Sequence, residues 1–144
     1  MIRSYGLLIL LCLTLVACSE GDSESQPSLV LALDSDCDVR SECIGRGDGL
    51  SVSVRMAPYR SALKPFNITV SSDVGLEAVT VSLEMQGMDM GQNRYRLLRD
   101  GESTWQAEIT LPLCTSGRSD WVAVFELATS DKRYQLSVPF TLGN

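Results

Sequence analysis

Histidine is missing from all 144 residues. Its absence removes the usual zinc and copper(II) ligand, the commonest general base, and the Ser-His-Asp and Cys-His forms of nucleophilic catalysis. The ordinary hydrolytic routes are closed, and the chain is expected not to be an enzyme. Positive charge is scarce as well. Twelve Lys and Arg stand against 18 Asp and Glu, a net of -6. That balance argues against nucleic acid as a partner, because phosphate binding needs a basic face. It also disfavours broad contact with anionic lipid headgroups. No internal repeat and no nucleotide-binding glycine loop occur, and no window of helical period competes with the alternating ones. The one long apolar run, Leu7 to Val16, is too short for a comfortable membrane span of roughly 20 residues.

What is present begins with that run. Arg3 gives it a short positive start, and Leu15-Val16-Ala17-Cys18 ends it, a charged, apolar and small-residue order that marks a cleavable leader. These four residues resemble a bacterial lipobox. The resemblance implies residues 1–17 as a lipoprotein signal peptide, Cys18 as the lipidation site carrying fatty acyl chains such as palmitate, and a periplasm-facing protein held to the bacterial membrane by lipid alone. Ser19, where Asp would retain a Gram-negative lipoprotein in the inner membrane, favours the outer one. The leader carries one charge, so the mature chain is one unit more acidic than the whole. Residues 18–28 are polar and acidic and read as a flexible tether. Beyond the tether the chain is long enough for one domain with its own core, expected as a monomer.

Three further thiols lie beyond the leader: Cys37, Cys43 and Cys114. Outside the cytoplasm disulfides persist, so two of the three are expected to be joined and one left odd. Cys37–Cys43 is the favoured pairing, closing a small loop around Asp38-Val39-Arg40-Ser41-Glu42. Pairing of Cys114 with either of the others is the competitor. Asp34-Ser35-Asp36-Cys37-Asp38 opens like a calcium loop, but Val39 and Gly45 stand where a glycine and a glutamate are needed, so the motif is rejected. Residues 29–49 form a cysteine-loop segment docked on the domain, with Gly45 to Gly49 a turn-rich hinge.

From Leu50 to the end at 144 the pattern has period two. Leu50, Val52, Val54 and Met56 alternate with polar residues, as do Phe66, Ile68 and Val70, then Val79, Val81, Leu83 and Met85. Tyr95 to Leu98 gives a shorter piece, followed by Trp105 to Leu111, Trp121 to Leu127 and Leu136 to Leu142. About seven strands at regular spacing, with turn signals between, predict an all-β, immunoglobulin-like antiparallel β-sandwich; a small barrel is the runner-up. Trp105 and Trp121 are expected as core anchors.

The residues that carry chemistry cluster in Glu84-Met85-Gln86-Gly87-Met88-Asp89-Met90-Gly91. Thioethers are soft, neutral donors that suit copper(I) and ignore calcium and magnesium. Met88 and Met90 are two apart, so an extended segment turns both to one face. Met85 ends its strand close by on the core face, and Gly87 and Gly91 let the backbone bend. Cys114, following Pro112 at the end of another strand, supplies a thiolate as a fourth soft ligand. The competing readings are ordinary packing, strongest for Met85, and a methionine contact patch for a protein. Arg94, Arg96 and Arg99 form a small basic patch read as a solvated strand face. Asn93-Arg94 and Gly117-Arg118 are candidate braces for the loop.

Met88 to Tyr95, Asp100-Gly101, Trp105-Gln106-Ala107, and Leu111-Pro112-Leu113-Cys114-Thr115-Ser116-Gly117-Arg118 with Trp121 together resemble the periplasmic YtkA-like and FixH-like domains, over roughly Leu50 to Leu142. The resemblance implies an immunoglobulin-like fold and, as in some members, copper delivery to a copper-handling or oxidase-assembly partner. Many copper-handling relatives pair methionine with histidine; here only a methionine or methionine–thiolate copper(I) site is open. The expectation is therefore a lipid-anchored module that binds copper(I) through Met88, Met90, Met85 and Cys114, holding or delivering the ion in oxidase assembly or copper homeostasis. Its alternative is a structural or adaptor lipoprotein whose methionine loop contacts a protein and binds no metal.

Overall fold

A computed structural model describes residues 27–57, 62–112 and 114–142. The expected signal peptide, the lipidation site Cys18 and most of the 18–28 tether lie outside the described residues. Eleven strands occur in the order β1 Leu29–Val30, β2 Ala32–Leu33, β3 Cys43–Gly47, β4 Leu50–Ala57, β5 Pro65–Ser72, β6 Ala78–Glu84, β7 Arg94–Arg96, β8 Leu98–Arg99, β9 Thr104–Thr110, β10 Asp120–Ala128 and β11 Arg133–Thr141. No helix occurs among the described residues. Seven of the strands have five or more residues; six of them, β4, β5, β6, β9, β10 and β11, carry the alternation read from the sequence, and β3 is the seventh.

The strands form two sheets. One has the order β1-β11-β10-β6-β7 and the other β2-β3-β4-β5-β9-β8. All neighbours are antiparallel except β1, which runs parallel to β11. In β4 Leu50, Val52, Val54 and Met56 are buried while the residues between them are not. β10 does the same with Trp121, Ala123, Phe125 and Leu127, and β11 with Tyr134, Leu136, Val138 and Phe140. The inward rows of the two sheets meet in one apolar core, the arrangement of a β-sandwich. Phe125 sits at its middle, opposite Leu136 on one side and Val81 on the other. Removing such a side chain from water contributes about 1.5–3 kcal/mol.

Each open side of the sandwich is closed by a short strand pair that changes sheet at a buried leucine. On one side the chain pairs with β11 as β1, buries Leu31, and pairs with β3 as β2. On the other it pairs with β6 as β7, buries Leu97, and pairs with β9 as β8. Edges as short as these resist pairing with another chain, and on the β7–β8 side arginines add charge to them. Pro139, in β11 beyond the reach of β1, adds to the protection because it has no N–H to offer.

Two details depart from the sequence pattern. The stretch Gly45 to Gly49, expected as a hinge, is mostly strand: β3 runs through Gly47, paired residue by residue with β4. The turn is confined to Asp48 and Gly49, both at positive φ, which suits the two-residue hairpin favoured by Asp-Gly. The cysteine-loop segment thus shares a sheet with β4. Its bridge is Cys37–Cys43, with Cα atoms 4.4 Å apart, and Cys114 is free. Trp105 and Trp121 are both in the core.

The strand directions define two ends. Asp120 of β10, Glu84 of β6, Thr110 of β9 and Ala57 of β4 lie toward one. At the other are the Asp48-Gly49 turn, the turn between Ala128 and Arg133, and the start of β1 at Leu29, opposite Tyr134. The described chain therefore enters at the end far from Asp120. Lys132 Nζ donates to Asp48 Oδ2 at 2.7 Å across that entry end.

Candidate functional site

The methionine segment leaves β6 as a tight turn. Met88 N–H donates to the Met85 carbonyl at 3.2 Å, and the two residues pair as an isolated bridge. The turn needs a residue at positive φ, and Gly87 supplies it at 75°. Asp89 then bends the chain again by accepting the Gly91 N–H on Oδ1 at 2.8 Å. The loop closes at its stem, where Leu83 N–H donates to the Asn93 carbonyl at 2.9 Å and Asn93 Nδ2 returns a bond to the Leu83 carbonyl at 3.3 Å.

The second loop leaves from β9. Leu111 is buried and fixes the departure of the chain; Pro112 cannot continue a ladder. Gly117 N–H donates to the Cys114 carbonyl at 3.2 Å, closing a turn with Gly117 at φ 73°. The two loops meet at the Asp120 end. The Cys114 thiol donates to Met88 Sδ at 3.2 Å and lies 3.0 Å from Ser116 Oγ. Arg118 spans the same gap: Nε donates to Asp120 Oδ1 at 2.9 Å, a second N–H reaches Asp120 Oδ2, and Nη1 donates to the Gln86 carbonyl at 2.8 Å.

These contacts set the protonation of the site. The Ser116 hydroxyl beside the sulfur favours the Cys114 thiolate and holds the thiol below its ordinary pKa; partial burial opposes this, while the backbone N–H groups of Ser116 and Arg118 and the Arg118 charge assist. The Asp120 carboxyl is held below the usual range by its bond from Arg118. Such a thiol is more nucleophilic at neutral pH and a readier metal ligand than one in apolar surroundings.

Of the four candidate ligands, the structure brings Met88 and Cys114 into sulfur contact from separate loops. Met85 is 3 % exposed and belongs to the core, joined to Met88 through the backbone. Met90 is half-buried against the core, two residues past Met88, and its sulfur is not part of the Cys114–Met88 contact. Among the described residues no group of three His, Cys, Asp or Glu is placed to hold a metal ion. Ser116 and Arg118 complete the site. Arg118 stood out in the sequence only as part of a candidate brace, and Ser116 only as one residue of a longer stretch. Trp121 opens the buried row of β10 at this end, and its indole N–H is buried without a hydrogen-bond partner among the described residues.

Two of the three arginines that follow the methionine segment in sequence have structural partners. Arg94 pairs with Glu126. Arg99 lies 4.8 Å above the centroid of the Trp105 ring and also donates to the Leu76 carbonyl. No protein-family model, curated protein or solved structure matches the chain.

Proposed function

We propose that this chain is a lipid-anchored periplasmic module of the YtkA-like and FixH-like immunoglobulin kind, and that it binds copper(I) through Cys114 and Met88. It would hold the ion or deliver it in oxidase assembly or copper homeostasis. The observation that supports this reading is the 3.2 Å contact between the Cys114 and Met88 sulfurs, Met88 from the loop between β6 and β7 and Cys114 from the loop that crosses between the sheets from β9 to β10. A thiolate and a thioether are both soft donors, which select copper(I) over calcium, magnesium and manganese. One thiolate also balances the single charge of copper(I). The depressed Cys114 pKa lowers the proton competition that metal binding by a thiol must overcome. Met90 stands two residues along and Met85 at the base of the turn, as further thioethers on the same loop. Copper(II) has no imidazole here to bind.

The test is anaerobic competition against a copper(I) indicator, using the chain from residue 18 with Cys18→Ser. One equivalent is expected to bind, with affinity lowered at least tenfold by Met88→Leu and at least a hundredfold by Cys114→Ser. Failure of the unaltered site to compete with a weak indicator would leave the methionine loop as a protein-contact surface and the chain as an adaptor.

A further inference from the structure

We propose that Arg118 is a positioning residue that sets the spacing of the two sulfurs, by stapling the turn that carries Met88 to the loop that carries Cys114. The inference deepens the copper(I) reading and rests on it for its biological use, although the geometry stands without metal. Arg118 lies four residues after Cys114 on the same loop and uses two N–H groups on Asp120, which begins β10. That fork fixes the plane of the guanidinium, as two parallel N–H bonds to one carboxylate do. The remaining nitrogen, Nη1, is thereby aimed at the Gln86 carbonyl, 2.8 Å away and 32 residues distant in sequence.

Gln86 occupies the centre of the turn whose ends are Met85 and Met88. Gly87 lies within the turn and Gly91 three residues beyond it, both at positive φ, and the turn itself is closed by the single 3.2 Å bond from Met88 N–H to the Met85 carbonyl. The bond from Arg118 adds a tie from outside the loop. Held at Gln86, the turn keeps its place while the Met88 side chain moves about its own three rotatable bonds. That division matters for an ion, because sulfurs in contact must part to admit one. With Arg118 the parting is a rotamer change in one side chain; without it the turn keeps only its own bond to Met85 and the stem at Leu83 and Asn93. Lysine cannot substitute, since an ammonium is a point charge that does not hold a carboxylate and a carbonyl in one plane. Arg118 is exposed, with 39 % of its side-chain surface open, so the ion pair itself adds little to global stability. Its effect is geometric.

The experiment uses the chain from residue 18 with Cys18→Ser and Met88→Cys, with Arg118 intact, Arg118→Gln or Arg118→Lys. Each is equilibrated in a glutathione redox buffer, and closure of the introduced thiol onto Cys114 is read by peptide mass. With Arg118 closure is expected to be at least tenfold more favourable than with glutamine, with lysine recovering only part of the difference and thermal midpoints agreeing within about 3 °C. Hydrogen exchange of amides 86–91, measured without the Met88 change, is expected to speed up at least tenfold in Arg118→Gln. Equal closure together with equal exchange would overturn the proposal. A chain that binds no copper(I) yet shows Arg118-dependent closure retains the staple and loses the copper reading; the two failures are separate.

Discussion

Gly45 of β3 and Leu136 of β11 touch across the two sheets so closely that any side chain at position 45 would collide. A Cβ there would stand 2.6 Å from Leu136 Cδ1 and 2.7 Å from Cδ2. Leu136 is fully buried, so its methyls have little room to retreat. Gly45→Ala is expected to destabilise by about 1–3 kcal/mol through overpacking. Leu136→Ala alone should lose about 2–5 kcal/mol. The double change should lose at least about 0.5 kcal/mol less than the sum, because the new methyl fills part of the cavity. Urea denaturation of the four chains checks this, and strict additivity would mean the two positions are not coupled.

The disulfide loop is tied into the sheet as well as closed on itself. Val39 is buried, and its carbonyl accepts the Met56 N–H at 2.6 Å. Replacing Cys37 and Cys43 by serine opens a loop of sequence separation 6 and places a polar group at the fully buried position 43. Loop entropy alone suggests about 2 kcal/mol, or a fall of roughly 10 °C in thermal midpoint. Calorimetry measures the shift; an unchanged midpoint would contradict the account.

Buried leucine and exposed charge should separate clearly on the β7–β8 side. Leu97 is fully buried where the chain changes sheet, so Leu97→Ala is expected to cost about 2–5 kcal/mol. The Arg94–Glu126 pair keeps 54 % and 48 % of its side-chain surface open. Glu126→Gln should therefore change stability by less than about 1 kcal/mol. Denaturation midpoints of the two variants should differ widely, and similar values would mean that the pair, not the leucine, holds this edge.

The Cys114 thiol should react early in a pH titration. Its pKa is held down chiefly by the Ser116 hydroxyl, so a larger share is thiolate at any pH near neutrality. Alkylation rate is expected to reach its half-maximum at a lower pH than that of an unperturbed cysteine. Ser116→Ala should move that midpoint upward. A profile indifferent to Ser116 would remove the hydroxyl from the account.

The long strands were legible because their inner rows are plain alternations: Leu50 to Met56 and Trp121 to Leu127 could hardly be anything else. β3 was hidden for a specific reason. Two of its residues are glycines, which look like turn formers, and Gly45 is glycine because Leu136 occupies the space. The split of Tyr95 to Leu98 into β7 and β8 was hidden because Leu97 carries the chain from one sheet to the other, and a change of sheet leaves no period. At the site, the sulfurs could be picked by element and spacing. The bond from Arg118 to Gln86 could not, since it ends on a backbone carbonyl that every residue possesses.

The parallel pairing of Leu29 with Tyr134 brings the described chain in at the pole opposite the contact of Met88 with Cys114. β10 spans nine residues between the two poles, about 30 Å at strand rise. Anything joined to the chain just ahead of Leu29 is therefore separated from the Met88 and Cys114 sulfurs by the full length of the sandwich.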